Sequence, residues 1–492
     1  MRTLLWNLIV VLALLVPAAP ADAASVKGRR PNIILVMTDD QGMGDLSCMG
    51  NKDLKTPHLD RLYGVSTRFT DFHVSPTCAP TRSALLSGRH EFRNGVTHTI
   101  LERERMALST TTIAQVLQKA GYATGIFGKW HLGDEEPYQP QNRGFDEVFI
   151  HGAGGIGQAY SSSCADAPNN SYFGPAIRHN GKFVKTDGFC TDVFFQQALA
   201  WIREQQKAGK PFFTYLTPNA PHGPFLAPDE YKKPFLDAGF DERTAGRYGM
   251  IANIDANMGL LMKKMDDWKL WDNTLLIFMT DNGQAGRSAQ KNGKRVQLFA
   301  GGLRAGKGSV YEGGTHVPAF WRWKGVLGEG TDINALAAHI DLFKTFAELA
   351  GAEIPEGIQE IDGRSLVPLL DDPKAKWEDR YLFSHKGRWA KGAEPNKDQH
   401  VNCAVRSQRW RLVNHKELYD IAADPGEENE VAADHPDVVK KMQAVYDAWW
   451  EKTRPLMVNE SVPNADERPY HVLYEKQLKA EGIGKWQAPK LD

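Results

Sequence analysis

Four nearly continuous apolar runs constrain the fold of this chain more than any other feature of its sequence. They are the segments 31–37 (PNIILVM), 124–127 (TGIF), 212–216 (FFTYL) and 274–279 (TLLIFM). Unbroken apolar strands are typical of a sheet that is buried on both faces. Helical patterns lie between these runs, so strands alternate with helices. This order predicts an α/β fold whose large, mainly parallel sheet is covered by helices on both faces.

The composition changes after about residue 375, where the segments CAVRSQRWRLVN and KELYDIAADPGEENEVA suggest short antiparallel strands and a turn. We therefore predict a main α/β domain at 24–375 and a small α+β domain at 376–492 that carries a short antiparallel sheet. The main predicted helices cover the ranges 110–119, 191–206, 248–268 and 438–452.

The first 23 residues are typical of an export signal. Arg2 precedes an apolar run from Leu4 to Val16, and Ala21-Asp22-Ala23 fits the small-x-small cleavage pattern. We therefore predict a signal peptide at 1–23 and a periplasmic or extracellular mature protein. The apolar run is short for a membrane span, so an uncleaved anchor is the less favoured alternative and no stable membrane span is expected.

Net charge and cysteine content limit the partners and the covalent chemistry. The formal net charge is -1, whereas nucleic-acid-binding proteins usually carry a basic excess, so nucleic acid is not an expected partner. There are five cysteines. Cys164 and Cys190 flank a loop-like stretch and form a candidate disulfide, which export would permit. The odd count leaves at least one cysteine unpaired or chemically altered.

Cys78 has an unusual setting in the segment SPTCAPTRSALLSGRH. Pro76 and Pro80 bracket it, and proline restricts both its own backbone and that of the preceding residue. We therefore expect Cys78 in a stiff loop, followed by a short helix that starts after Pro80 and ends at Gly88.

Polar side chains follow all four apolar runs, at the points where the strands are predicted to end. In an open α/β sheet, ligands bind at the carboxyl ends of the strands. We therefore expect these side chains to meet at one edge of the sheet. They are Asp39, Asp40, Lys129, His131, His222, Asp281 and Asn282.

The acidic members of this set favour a divalent cation. Asp39, Asp40, Asp281 and Asn282 offer hard oxygen ligands, which suit Ca²⁺ or Mg²⁺ better than Zn²⁺. A single adjacent pair of aspartates is more often a helix cap or a solvated turn. A second polar pair, Asp281-Asn282, ends another buried strand, and a shared cation explains both pairs more simply.

Five basic residues favour a tetrahedral oxyanion as the ligand. Arg82, Lys129 and Lys307 are fixed positive charges, and His131 and His222 exchange protons near neutral pH. The positive end of the helix after Pro80 adds to the attraction for an anion. Phosphate and sulfate both fit, so the residues alone predict metal-assisted cleavage of a phosphate or sulfate ester.

Several motifs spread along the chain resemble motifs of a known family. The segments CAPTR and SGR around Cys78 resemble the C-x-P-x-R signature of type I sulfatases, which depend on formylglycine and belong to the alkaline phosphatase superfamily. The similarity is arylsulfatase-like and covers most of the mature chain. The other matching segments are NIILVMTDDQG, GKWHLG, APHGP, MTDNG, GGLRAGKGSVYEGGTHVP and AVRSQRWRLV.

This resemblance implies a modified residue and a metal site. A formylglycine-generating enzyme would convert Cys78 into 3-oxoalanine (formylglycine) during maturation. Residue 78 would then bind the divalent cation, Ca²⁺ in preference to Mg²⁺, together with Asp39, Asp40, Asp281 and Asn282.

The resemblance also implies roles for the remaining residues. Arg82 would orient the modified residue 78, while Lys129, His222 and Lys307 would hold the sulfate. Asp281 would act as base toward the nucleophilic hydroxyl, and His131 would take a proton when sulfate is released. The departing alcohol would receive its proton from His222 or Lys307.

The implied activity is hydrolysis of a sulfate ester, of a sulfated carbohydrate or an aryl sulfate. The main alternative is a phosphate mono- or diester or phosphonate hydrolase of the same superfamily. A non-catalytic protein that binds sulfated glycans is a second alternative, and a Cys-His peptidase leaves Arg82 and the acidic residues without a role. His151 is a further site candidate by position only. The loop 384–389 (SHKGRW) is expected either to reach the site or to be a surface loop with a packed Trp389.

Overall fold

A computed structural model describes residues 25–160 and 162–492 of the chain. The predicted signal peptide therefore lies outside the described residues. In chain order the strands are β1 (Asn32–Thr38), β2 (Thr67–Phe69), β3 (Phe72–His73), β4 (Ala123–Lys129), β5 (Glu147–His151), β6 (Ala176–His179), β7 (Lys182–Lys185), β8 (Phe212–Thr217), β9 (Thr274–Thr280), β10 (Ser288–Lys291), β11 (Lys294–Gln297), β12 (Ala319–Arg322), β13 (Thr331–Ile333), β14 (Ala337–Ala338), β15 (Leu382–His385), β16 (Cys403–Arg406), β17 (Trp410–Val413), β18 (Glu417–Asp420) and β19 (Gly484–Lys485).

The helices surround this set of strands. They are α1 (Pro57–Val65), α2 (Cys78–Ser87), α3 (Ile113–Lys119), α4 (Cys190–Lys207), α5 (Asp229–Asp237), α6 (Glu242–Asp267), α7 (Glu312–Thr315), α8 (Leu342–Ala350), α9 (Val367–Asp371), α10 (Pro436–Thr453) and α11 (Pro469–Ala480).

The large sheet has the order β13-β2-β12-β9-β1-β8-β4-β5-β6-β7-β19. Its centre, β9-β1-β8-β4-β5, is parallel throughout. Antiparallel pairs lie only toward the two sides, between β12 and its neighbours and around β6. The predicted mainly parallel sheet is confirmed.

Both faces of the sheet are buried, as the apolar runs predict. Ile33, Leu35 and Met37 of β1 pack into one apolar cluster with α2, α3 and α8. The alternate residues Ile34 and Val36 pack into a second cluster with α1, α4 and α6. Successive side chains of a strand point to opposite faces, so two helical layers are needed to bury the whole run.

The predicted helices are present, but their ends differ from the predicted ones. Thr112 accepts a hydrogen bond from the Gln115 backbone and caps α3, so this helix starts three residues later than predicted. Asp241 caps α6 in the same way, which extends this helix beyond the predicted start. Capping geometry, more than apolar periodicity, therefore decides where these two helices begin.

The predicted C-terminal antiparallel sheet is confirmed as the order β15-β16-β17-β18. Helix α10 packs on it through Met442, Tyr446 and Trp450. The sheet is joined to the main body by a buried ion network: Glu312 of α7 accepts hydrogen bonds from Arg406 Nε at 3.0 Å and from Arg411 Nη2 at 2.7 Å.

Replacement of Glu312 by alanine is expected to lower the free energy of unfolding by about 3–5 kcal/mol, because it removes the buried carboxylate that Arg406 and Arg411 share and leaves each guanidinium with only one other ion-pair partner among the described residues. Chemical denaturation measures this change. Arg409→Ala is the matched control, since the Arg409 side chain in the Arg409–Asp420 pair is 59% exposed. This variant should leave the midpoint unchanged. Equal midpoints for the two variants would contradict a linking role for Glu312.

The end of the chain returns to the large sheet rather than staying with the small one. Strand β19 pairs with β7, and Tyr470 of α11 lies in the same apolar cluster as Phe183. The predicted boundary at residue 375 stays a prediction, and the tail after α10 packs on the main body. Among the described residues, no helix combines the length and apolar character that crossing a membrane requires.

Candidate active site

The carboxyl ends of the four central strands bring the predicted polar residues together. Asp39 and Asp40 follow β1, Asp281 and Asn282 follow β9, and Lys129 is the last residue of β4. His131 lies just past β4, and His222 lies in the loop after β8. The adjacent order β9-β1-β8-β4 places these residues at one edge of the sheet, as predicted.

The acidic side chains interlock at this edge and are shielded from solvent. Asp281 Oδ1 accepts a hydrogen bond from the Asp40 backbone at 3.1 Å, and Asn282 Nδ2 donates to Asp40 Oδ1 at 3.0 Å. Asp39, Asp281 and Asn282 are each 0% exposed. Asp40 has a left-handed backbone, with a φ of 66°, and such strain in a non-glycine residue is typical of functional sites.

Each carboxylate makes a close ion pair with one lysine or arginine. Lys129 Nζ lies 2.6 Å from Asp39 Oδ2, Lys307 Nζ lies 2.7 Å from Asp40 Oδ2, and Arg82 Nη2 lies 2.8 Å from Asp281 Oδ2. The three predicted cations therefore surround the acidic residues instead of lying on the surface.

The pKa shifts show how closely the carboxylates approach one another. Burial and the neighbouring Asp39 raise the pKa of Asp281 to about 7. Burial also opposes ionisation of Asp40, but Lys307 and His222 outweigh it and hold its pKa below the ordinary value. A divalent cation would relieve the repulsion that raises the pKa of Asp281.

The oxygen atoms at this edge fit a hard cation. Asp39 Oδ1 and Asn282 Oδ1 are buried and have no hydrogen-bond partner, and a buried acceptor without a partner is costly unless an ion fills that role. Ligand atoms of Asp39, Cys78 and Asp281 lie within 4.8 Å of one another. The donor set therefore fits Ca²⁺ or Mg²⁺.

Cys78 is the first residue of helix α2, which corrects the prediction of a preceding loop. Pro80 lies in the first helical turn, where the missing N–H costs nothing because it would have no intrahelical partner. The helix ends at Gly88, whose φ is 68°, as predicted. The thiol is thus at the positive end of the helix and is only 3% exposed.

His131 is placed to accept a proton from residue 78. Its Nε2 lies 2.8 Å from the Thr99 carbonyl, which can only accept, so the proton is on Nε2. The free Nδ1 lies 3.6 Å from Cys78 Sγ. Burial and then Lys129 keep the pKa of His131 well below its ordinary value, so the ring is neutral.

His222 and Lys307 lie on the other side of the carboxylates. His222 Nδ1 donates to the Gly223 carbonyl at 2.8 Å, and its Nε2 lies 3.8 Å from Asp40 Oδ2. Burial is the main cause that lowers the pKa of His222 to about 4. Burial opposes the charge of Lys307 as well, but Asp40 raises its pKa above the ordinary value, so Lys307 stays protonated.

A cavity of about 230 Å³ opens onto this cluster. Cys78, His131, His222 and Lys307 line it, so four of the predicted site residues can reach a ligand there. Other residues that line the cavity belong to no recognised motif and were not predicted. They include His98, Thr99, Ile100, Gln158, Tyr160 and Ser163.

Two expectations about residues near the site have clear outcomes. His151 is buried beside Phe194, and neither ring nitrogen has a hydrogen-bond partner; it does not line the cavity. The loop 384–389 does reach the site, because Arg388 lines the cavity. Trp389 is packed, at 5% exposure. The loop therefore reaches the site through Arg388, while Trp389 is the packed residue that the alternative interpretation expected.

The candidate disulfide between Cys164 and Cys190 does not form, since both residues are free thiols. Cys164 lines the cavity, and its Sγ accepts a hydrogen bond from the Gly133 backbone at 3.2 Å. Cys190 begins α4 and packs into the apolar cluster on one face of the sheet. The stretch between them contains the β6–β7 hairpin, so it is not the open loop that the composition suggested.

Comparisons with known proteins give two matching family models and several relatives. A family model described as Sulfatase matches residues 31–352, and one described as N-sulphoglucosamine sulphohydrolase, C-terminal, matches residues 305–452. Human N-acetylgalactosamine-6-sulfatase is 34% identical over 74% of this chain and 70% of its own length. Human arylsulfatase A is 31% identical over 84% of this chain and 87% of its own length.

A solved structure has the same fold over almost its whole length. It is Ps i-CgsB in complex with k-i-k-neocarrahexaose, with a TM-score of 0.74 and 28% identity over 92% of this chain and 98% of that protein. Fold, family models and relatives agree with the resemblance in the motifs. The chain belongs to the sulfatase family of the alkaline phosphatase-like superfamily and is a sulfuric ester hydrolase.

Proposed function

We propose that this sulfatase is exported and removes sulfate from a sulfated carbohydrate, using a formylglycine made from Cys78 and a divalent cation. The observation that carries the proposal is the position of Cys78: its Sγ lies 3.6 Å from the free Nδ1 of His131 and beside the buried carboxylates. A carbohydrate is favoured over a simple aryl sulfate because relatives include N-acetylgalactosamine-6-sulfatase and a neighbour holds a neocarrahexaose.

The sulfur of Cys78 occupies the place where the oxygens of a hydrated formylglycine would lie. Formylglycine supplies, as an aldehyde hydrate, a nucleophilic hydroxyl and a second hydroxyl that allows the enzyme to release sulfate. The folded chain leaves the Cys78 thiol only 3% exposed. We therefore infer that a formylglycine-generating enzyme acts before folding is complete, during export to the periplasm or the extracellular space.

The cation would be held by Asp39, Asp40, Asp281, Asn282 and residue 78. A bound cation supplies Lewis acidity toward the sulfate oxygens. Ca²⁺ fits better than Mg²⁺, because these oxygens are buried and Ca²⁺ accepts many protein ligands, whereas Mg²⁺ retains several waters.

The chain's own residues would position the ester and move the protons. Lys129, His222 and Lys307 would hold the sulfate, and Arg82 would orient residue 78. His131 accepts a proton at Nδ1 while Thr99 holds Nε2. Asp281 lies close enough to residue 78 to act as the base toward its hydroxyl.

A comparison of leaving groups identifies the proton donor to the departing alcohol. His222 and Lys307 both line the cavity. The variant that loses the general acid is expected to lower kcat about 10²–10⁴-fold on an alkyl or sugar sulfate, and far less on 4-nitrophenyl sulfate, whose leaving group needs no proton. Steady-state kinetics of His222→Gln and Lys307→Met on both esters measure the difference.

At the other position the native residue only holds the sulfate, so that variant should lower kcat by a similar factor on both esters. The proposed function would be refuted by wild-type protein that has a converted residue 78 but releases no sulfate from any sulfate ester. Release of phosphate from phosphate esters by the same protein would favour the phosphatase alternative. Equal losses on both esters for both variants would refute a general acid at either position.

A further inference from the structure

We propose that the enzyme binds a second anionic group of its substrate, a carboxylate or a sulfate next to the scissile one, at Arg388, Lys386 and His98. This inference rests on the proposed function and deepens it, since it selects acidic oligosaccharides over neutral ones. The three residues line a cavity, here called the outer cavity, that adjoins the catalytic cavity.

The two cavities form one groove. His98 and Arg388 line both of them, so they mark the junction. The catalytic cavity measures about 230 Å³ and the outer cavity about 360 Å³. Ordinary small-molecule sites measure ~300–1,000 Å³, so the catalytic cavity alone is small and the two together fit a ligand larger than one sulfated ring.

The backbone is bent so that Arg388 reaches the junction. Gly387 has a φ of 61°, and a Cβ there would lie 2.0 Å from the Thr97 carbonyl oxygen, so only glycine fits. Arg388 has a φ of 63°. A bulky residue in this conformation is strained, and such strain is typical of binding sites.

The positive charges of Arg388 and Lys386 are available to a ligand. Arg388 Nη2 donates to Thr99 Oγ1 at 3.0 Å, while its Nε is buried and without a hydrogen-bond partner. Within residues 25–160 and 162–492, neither Arg388 nor Lys386 makes an ion pair. A guanidinium that lacks a carboxylate and lines a cavity is suited to an anionic ligand.

His98 adds a neutral donor at the junction. Its Nδ1 accepts hydrogen bonds from the backbones of Thr99 at 2.8 Å and Ile100 at 3.1 Å, so Nε2 carries the proton. Burial and the nearby Arg103 and Arg388 lower the pKa of His98 to about 3, so the ring stays neutral. An imidazole N–H suits a sulfate, carboxylate or sugar oxygen.

Other groups in the outer cavity were weighed against this assignment. Asp398 also lines it, so the outer cavity has two positive charges and one negative charge. Trp389 does not serve as a stacking platform: its indole N–H donates to Glu460 at 2.7 Å, and the Arg103 guanidinium lies 4.9 Å from its ring. The net positive charge, and not the aromatic ring, is the recognition element.

A matched pair of ligands tests the inference. The first is a monosulfated disaccharide that contains a uronate; the second is the same disaccharide with its carboxylate reduced to an alcohol. Each is measured as a competitor of 4-nitrophenyl sulfate hydrolysis, so neither has to be cleaved. A third, disulfated disaccharide without the uronate distinguishes a second sulfate from a carboxylate as the bound group.

Arg388→Met is expected to raise the inhibition constant of the uronate disaccharide about 10- to 100-fold, the effect of losing a charge-assisted hydrogen bond. It should raise the inhibition constant of the reduced disaccharide much less. Of the two cavities, Lys386 lines only the outer one, so Lys386→Met should leave kcat/KM for 4-nitrophenyl sulfate within about threefold of the wild-type value. Lys386→Met should also raise the inhibition constant of the uronate disaccharide. Arg388→Lys should raise it less than Arg388→Met does, because lysine keeps the positive charge. Lys397→Met, an exposed lysine outside both cavities, is the control of equal charge change.

A purely structural role predicts a different pattern. Arg388 contacts Thr99, which holds His131, so a structural defect would lower hydrolysis of 4-nitrophenyl sulfate as well. Equal effects of Arg388→Met on all ligands would overturn the inference and leave the proposed function intact. The same holds if the wild type prefers neither the uronate disaccharide nor the disulfated disaccharide over the reduced one. Wild-type protein that has a converted residue 78 but releases sulfate neither from 4-nitrophenyl sulfate nor from the sulfated disaccharides would overturn both.

Discussion

Replacement of Cys78 by alanine is expected to lower sulfate release at least ~1,000-fold, because it removes the nucleophile and one ligand of the cation together. The fold should survive, since alanine is small, favours helices and would replace a buried first residue of α2. Initial rates with 4-nitrophenyl sulfate, beside a thermal unfolding curve, measure both properties.

The serine variant sharpens this test. Cys78→Ser should release at most about one equivalent of alcohol per enzyme, because serine has no second hydroxyl on its side-chain carbon to expel the sulfate. Cys48→Ala is the control, because Cys48 lies outside the catalytic cavity. Its backbone N–H donates a hydrogen bond to Asp60, and this contact does not need the thiol. Multiple turnovers by Cys78→Ser would contradict the proposed role of residue 78.

Removal of the divalent cation by a chelator is expected to abolish turnover and to lower the unfolding temperature. The carboxylates of Asp39, Asp40 and Asp281 are buried close together, so a cation that binds only the folded state stabilises it. At a free cation concentration of 100 times its Kd, mass action predicts about 2.7 kcal/mol. Thermal unfolding and activity after dialysis, with Ca²⁺ or Mg²⁺ returned, measure both effects.

A pair of variants distinguishes the loss of the bound cation from other effects of the chelator on stability. Asp39→Asn removes a negative charge from the site, so its unfolding temperature should respond little to Ca²⁺. Asp53→Asn changes an exposed aspartate that pairs with Lys291 and should respond like the wild type. Full activity of the chelated wild-type protein would refute a role for a cation in catalysis.

Much of the fold and of the site could be predicted because both depend on local patterns. The apolar runs become the central strands β1, β4, β8 and β9. Since parallel strands present their carboxyl ends at one edge, the polar residues that follow them had to meet there. Asp39 and Asp281 are far apart in sequence, yet both contribute ligand atoms to the same small cluster.

The errors arose where long-range packing decides the outcome. The helix start at Cys78 depended on whether Pro80 fell in the first turn, which the spacing of the prolines alone does not show. The pairing of Cys164 with Cys190 depended on where each thiol is buried, and they pack in different places. The return of β19 to the large sheet and the position of His98 at the groove have no signal in a local motif.

The most direct test of the account is mass spectrometry of the proteolytic peptide that contains residue 78. The protein should be produced in a host that has a formylglycine-generating enzyme, and its specific activity measured on the same sample. The account predicts a peptide in which the thiol of Cys78 has been replaced by an aldehyde, with activity in proportion to the converted fraction. Full sulfatase activity in protein whose Cys78 is an unmodified thiol would contradict it.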